Sequence, residues 1–451
     1  MLLQSLLRPV LTPIMRGIFD PAQSIAAAWS PLSLWPDGID SPGMWISPRT
    51  LTSEWQDYTG TTPVVTPGTV ADTSNPVGLA LDIRAGATVL TDPGNHMLQS
   101  TSAARPLMSA RVNLLTYTED FSSATGAGTL LHSTTEPPPT GVTTSKKFIK
   151  TGSGFESIYW YGAAVGNVDL SVFAKQCEWK YLGLYDQNPD KFCYFDLDNG
   201  TVGDVSAGMD ASIVSVGGGW YRCNVSFIEG SPSSPSIFAT DVNGVYGPTG
   251  DGTSGIYIAG VQLQIGDTAT PYQSVPGDGS TYATDFPIYQ KYDGTDDGMA
   301  TATFSAGTLT SAMDCMIPVR RDSAAACVAG LYNGIADATK FFGMAESASG
   351  SGCVGSGAGT PTVWVDGVQL SGGTAVTRGT LHTALTVGDW HILEFRGLDL
   401  STWTAAGFGL YTSYVFPGAR GDIMLYPSTD STADKDAARQ YLADYYGVTL
   451  P

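Results

Sequence analysis

From Trp29 onward, apolar and polar residues fall into strand-sized runs, with Gly, Pro, Asp and Asn interrupting them at roughly 8–12-residue spacing. Short runs joined by turns are the pattern of β-sandwiches. Two places carry hairpin text. Asp198-Asn199-Gly200 follows the run Cys193–Leu197, and Asp366-Gly367 divides the run Val363–Leu370. Such a pair between alternating apolar residues predicts a type I′ turn, with positive φ at both central positions. No repeat on a period of about 20–50 residues is visible, which argues against a propeller or a solenoid.

Two segments break the strand pattern. Near the C-terminus, Ser431 or Thr432 can cap a helix, and Asp434 in its first turn suits the helix dipole. Ala438, Tyr441, Leu442 and Tyr445 then define one apolar face, and Gly447 suits a left-handed end. At the start, Leu2, Leu3, Leu6, Leu7 and Val10 fit a short amphipathic helix that Pro9 and Pro13 interrupt. No basic region precedes this stretch, and Arg8 and Arg16 break it, so an anchor is expected over 1–28 rather than a signal peptide.

Composition narrows the class. Of 451 residues, 54 are Gly and 27 Pro, and 14% are charged, which is few for a helical protein. The 42% hydrophobic share can build cores, so a disordered chain is not expected. No apolar run of about 20 residues exists, so no membrane insertion is expected. The net charge is −20, from 22 basic and 42 acidic residues, and such a surface repels nucleic-acid backbones. Cys177, Cys193, Cys223, Cys315, Cys327 and Cys353 form no CxxC pair and no zinc spacing, so buried free thiols are the expectation. A single bridge among Cys177, Cys193 and Cys223 stays open.

Several motifs resemble known families. The stretches Gly43–Leu51, Gln56–Pro63, Pro76–Leu79, Gly94–His96 and Ala104–Pro106 resemble the opening of concanavalin A-like, laminin-G-like lectin domains in bacteriophage structural proteins. The next element of that family resembles Tyr289–Gly298, YQKYDGTDDG, and Thr303–Pro318, the Trp364 hairpin, Gly388–Leu393 and Gly421–Tyr426 continue it. The text between is similar to carbohydrate-binding-module-like jelly rolls of phage tail and fibre proteins. It is carried by Asn113–Phe121, Leu170–Lys175, Tyr194–Gly203, Gly219–Cys223, Gly255–Leu263 and Ala269–Tyr272. The resemblance implies an all-β chain of two β-sandwich (jelly-roll) domains, one inserted in the other, with a short N-terminal helical anchor and a C-terminal helix. The boundaries are 1–28 for the anchor, 29–110 plus 278–451 for the discontinuous lectin-like sandwich, and 111–277 for the insert. Loop tips tolerate such insertions.

Candidate chemistry is sparse. The histidines are His96, His132, His382 and His391, and no Gly-x-Ser-x-Gly occurs. No catalytic residue and no cofactor is expected. Asp293, Asp296 and Asp297 crowd one loop and are weak metal candidates, since calcium takes oxygen ligands, but the same text is ordinary turn text. For glycan contact, alternation in Trp179–Tyr185 sets Leu182 and Leu184 on one side and Trp179, Tyr181 and Tyr185 on the other, with Asp186 and Gln187 at the rim. Tyr159 and Tyr161 offer a second ladder. Aromatic residues also pair across strands for stability alone.

The expectation is a non-enzymatic virion structural protein of fibre, spike or decoration type. The alternative is a glycan-degrading hydrolase or lyase. Expected partners are other virion proteins (capsid, portal or tail), host-surface glycan, and further copies in a homotrimer. Leu3, Leu6, Leu7 and Val10 would dock the particle or meet about the axis. The expected location is the virion, assembled in the host cytoplasm.

Overall fold

The computed structural model describes residues 29–451 apart from 93, 127–129, 161–165, 187–189, 230–233, 246–248, 267–268, 305–308, 335–336, 371–375, 412 and 429–430. The N-terminal candidates Leu3, Leu6, Leu7 and Val10 lie outside the described residues, as do Tyr161 and Gln187. The fold is an all-β sandwich fold with a C-terminal helix. Among the described residues, no helix is long and apolar enough to cross a membrane.

The strands fall into two groups by pairing. One group builds a nine-stranded sheet whose central strands are Met313–Arg321, Trp390–Leu398 and Ile423–Pro427. A five-stranded sheet of short strands, among them Leu79–Ala80, Met97–Leu98 and Met299–Thr301, packs over it. Cys315, Ile317, Val319, Leu393 and Phe395 from the large sheet meet Ala80, Met97, Met299 and Phe408 in one core. These residues alternate along their strands, so they share one face of the sheet.

The other group spans Leu131–Ser133 to Gly255–Ile265. Among the described residues its strands pair only with one another, in a six-stranded and a five-stranded antiparallel sheet. Val168, Leu170 and Val172 of the first sheet face Leu182, Leu184, Phe195 and Ile237 of the second. All six cysteines are free thiols, so no bridge joins Cys177, Cys193 and Cys223. Burial pushes the Cys193 thiol up to about 12.

The C-terminal helix, Thr432–Tyr446, is capped by Ser431, whose hydroxyl accepts the Asp434 N–H at 3.1 Å. Gly447 ends it at φ 73°. The helix lies on the outer face of the nine-stranded sheet, where Ala438, Leu442, Ala443 and Tyr446 pack on Ile392, Met424 and Tyr426. The buried line is thus 438, 442 and 446, and Tyr446 replaces Tyr445 on it. Tyr441 and Tyr445 stand half-buried beside it, with the Arg49 guanidinium 4.3 and 4.4 Å from their ring centres.

The Asp366-Gly367 turn has the expected positive φ at both positions, 52° and 83°. The other hairpin differs. At 198–200 Gly200 alone has positive φ, 66°. There the Asp196 carboxylate accepts the N–H groups of Asp198 and Asn199 at 3.0 and 3.1 Å, so a side chain shapes the turn.

Candidate functional site

Strand Tyr181–Asp186 is the middle of a five-stranded sheet, between Lys191–Asp196 and Pro235–Thr240. Leu182 and Leu184 point into the core, while Tyr181 and Tyr185 stand half-buried on the outer face. Register sets Gly183 opposite Tyr194 and Phe238. A Cβ on Gly183 would lie 1.9 Å from Phe238 Cζ, so the missing side chain makes room for that ring. Tyr185 stacks on Phe192 at 4.4 Å, and Phe155 closes edge-on over Tyr185 and Phe238 at 5.1 and 5.4 Å. Tyr159 continues the face opposite Ser236. The rings therefore spend most of their area on one another.

Two expectations for this face are corrected. Trp179 is buried in the core with Leu182 and Leu184, not aligned with Tyr181. The strand begins only at Tyr181, and the preceding bend, held by Trp179 N–H on Gly255 O at 3.0 Å, turns the indole inward. Asp186 is also buried, on the leucine side, which is where period-two alternation from Leu182 sends it. Its carboxylate accepts from Ser234 N–H at 3.4 Å rather than forming a rim.

The opposite sheet carries a polar outer face. Strand Trp220–Glu229 sits between Met209–Gly217 at the edge and Gly166–Lys175. Cys223, Val225 and Phe227 point inward, so Arg222, Asn224 and Ser226 point outward. Asn224 is bound on both ends of its amide. Its Nδ2 donates to Asp169 Oδ2 at 3.0 Å, and its Oδ1 accepts from the Ser212 hydroxyl. Arg222 Nη2 donates to Ser171 Oγ at 3.0 Å, and its guanidinium lies 5.8 Å over the Phe173 ring. Burial pulls the Arg222 guanidinium down from its ordinary value, and Asp169 opposes that pull. Gln262 and Gln264 are buried on the strand beyond, joined to each other at 2.6 Å.

This face carries a groove of about 510 Å³, lined by Asp210, Ser212, Arg222, Asn224 and Ser226 with Val214 and Val216 on its lip. Val214 is 59% exposed and Val216 39%. A second hollow of about 330 Å³ shares Asp210 and Ser226, so the groove continues toward Gly208 and Ile228. Both volumes are within the range of ligand sites.

Asp293, Asp296 and Asp297 bring their carboxylate oxygens within 4.8 Å of one another. The contacts are those of a turn. Asp297 Oδ2 accepts Asp293 N–H at 2.8 Å, and Asp293 Oδ1 accepts Thr295 N–H at 2.7 Å. Burial pushes the Asp297 carboxyl up to about 7, with the neighbouring carboxylates adding to the effect.

Sequence reasoning missed the whole groove. Its signal was present in each strand as alternation of Arg222, Asn224 and Ser226 with buried residues, and as Asp210 and Ser212 in the neighbouring run. Phe192 and Tyr194, alternating with Cys193 and Phe195, would have extended the aromatic face in the same way. No family model and no curated protein matches the chain.

Proposed function

We propose that the chain is a structural protein of a bacteriophage particle, of fibre, spike or decoration type, and that it contacts host-surface glycan through the groove beside strand Met209–Gly217. In this reading 29–110 plus 278–451 form one lectin-like domain, 111–277 an insert, and 1–28 the particle anchor of a homotrimer. The resemblance of the framework motifs supports the particle context. The groove is the observation that carries the glycan contact. A sugar ring has a rim of hydroxyls and apolar C–H faces. The groove matches both, with a carboxylate, an amide, a guanidinium and hydroxyls on its floor and two exposed valines on its lip. Arg222 and Asn224 are fixed by their own hydrogen bonds, so little ordering of these two is left for binding. Its length along an edge strand suits a linear chain.

Two measurements test the reading. Immunogold electron microscopy of purified particles is expected to find the protein on the particle, and its absence there removes the particle role. Saturation-transfer NMR of the full chain with maltotriose, cellotriose and chitotriose is expected to show binding of at least one. Asp210→Ala should weaken that binding about tenfold, the scale of one well-placed hydrogen bond to a charged group. Binding that is indifferent to Asp210→Ala and Ser226→Ala removes the groove.

A further inference from the structure

Asp366, His391, Thr386 and Asp389 form a row of close polar contacts. Asp366 Oδ2 lies 2.7 Å from His391 Nδ1, His391 Nε2 lies 2.8 Å from Thr386 Oγ1, and Thr386 Oγ1 lies 2.8 Å from Asp389 Oδ2. Each contact needs one proton between its two heavy atoms. The threonine hydroxyl supplies one, a neutral imidazole supplies one, and two carboxylates supply none. The neutral row therefore has two protons for three contacts. The imidazolium has the missing one. Nδ1–H then donates to Asp366, Nε2–H donates to Thr386, and Thr386 O–H donates to Asp389.

The order Asp–His–Thr is also that of a hydrolase triad. In the complete row, however, the Thr386 hydroxyl donates to Asp389 and accepts from His391. While the ring is protonated the hydroxyl cannot also pass its proton to it, so this form of the row ties elements together.

The tied elements are distant in the chain. Asp366 sits in the turn between strands Gly359–Val365 and Val368–Gln369, and its other oxygen accepts Ile392 N–H at 2.7 Å. His391 is the second residue of strand Trp390–Leu398. Thr386 and Asp389 belong to the loop after the short helix Arg378–Ala384. That loop abuts the other group of strands. A Cβ on Gly388 would lie 2.4 Å from Gly266 N, and one on Gly266 would lie 3.2 Å from Asp389 Oδ1. The surrounding cations are committed elsewhere. Arg321 Nη1 donates to the His382 and Leu385 carbonyls, Arg320 pairs with Asp322, and Arg439, beside Gly367, pairs with Glu394 and Asp436. The carboxylates of Asp366 and Asp389 are the charges in line with the ring.

We propose that His391 is a proton-operated latch. Its imidazolium form joins the Asp366 turn to the Thr386–Asp389 loop and holds that loop against Gly266, and loss of the proton opens one of the three links. The latch couples acidity to how firmly the two groups of strands are joined. It is independent of any glycan contact.

Hydrogen exchange of the full chain, read by mass spectrometry at pH 5 and pH 8 and corrected for intrinsic exchange, tests it. Peptides covering 384–392 are expected to open at least tenfold more readily at pH 8. Thr386→Val, at an exposed position, keeps the Asp366–His391 bond and cuts the row, so it should erase that difference. His391→Gln should do the same. Equal protection of the wild type at both pH values, or a pH difference that survives Thr386→Val, overturns the latch.

Discussion

The chain passes between its two groups of strands at a point where one side chain binds both crossings. Gln273 is fully buried. Its Oε1 accepts the N–H groups of Val112 and Asn113 at 2.6 and 3.0 Å. Its Nε2 donates to the carbonyls of Ala110 and Ala283 at 2.8 and 3.0 Å. Gln273→Ala leaves these four backbone groups without partners. A buried orphaned group costs about 1–3 kcal/mol, and water entering the vacated space serves some of them. The low end of that range over four groups is about 4 kcal/mol. With a urea slope of about 2 kcal/mol per molar, the unfolding midpoint should fall by about 2 M. Urea titration followed by tryptophan fluorescence measures this, with Gln369→Ala at an exposed position as the near-neutral control. Gln273→Glu sharpens the test. It keeps the size but sets a carboxylate against the Ala110 and Ala283 carbonyls, so it should be as damaging at pH 7. Burial against two carbonyls favours the protonated carboxyl, so part of the loss should return progressively as pH falls from 7 and be fully returned below the unfolded value of about 4.3, because the proton restores one donor. A midpoint shift under about 0.5 M for Gln273→Ala would refute the account of the crossing.

Two further outcomes follow from single residues. Gly183→Ala forces the Phe238 ring off the strand, because the new Cβ would sit 1.9 Å from it. A loss of about 1–3 kcal/mol is expected, as for overpacking, with a changed near-ultraviolet dichroism spectrum; an unchanged spectrum and midpoint would contradict the packing. Glu54 is buried, and burial pushes its carboxyl up to about 8, against the pull of Arg420 and Gln290. The folded state then favours the protonated form. This stability is whole below the unfolded value of about 4.3 and drains away as pH rises through 8. Glu54→Gln should therefore gain on the wild type by on the order of a few kcal/mol between pH 4.5 and 8, and parallel stability curves for the two would exclude it.

Period-two alternation was a dependable guide to which way a side chain points, and it stopped there. It separated Leu182 and Leu184 from Tyr181 and Tyr185 correctly. It failed at Trp179, because alternation runs only inside a strand and this one begins at Tyr181. The end of a strand is fixed by partners far away, here Gly255 O, and nothing near Trp179 announces it. The same limit explains the helix. The pattern found an apolar stripe, but whether Tyr445 or Tyr446 enters the core depends on where Arg49 and the Ile392 face stand.

Facing outward is also a weaker property than forming a site. Tyr185 faces outward and is covered by Phe155, a residue from a different run. Arg222, Asn224 and Ser226 face outward and line a groove, because the neighbouring edge strand puts small Ser212 rather than a ring beside Asn224. Only strand register distinguishes the two cases. Register joins Ser212 to Asn224 and Asn224 to Ser171, and those pairings span 12 and 53 positions of sequence. The His391 row goes one step further. Asp366 earns its place locally, through a turn that demands positive φ, yet its carboxylate meets a ring 25 positions on, and the third member comes from a loop. A function carried by a row of protons across three elements leaves no periodic trace in any of them, so it becomes visible only when the distances are known.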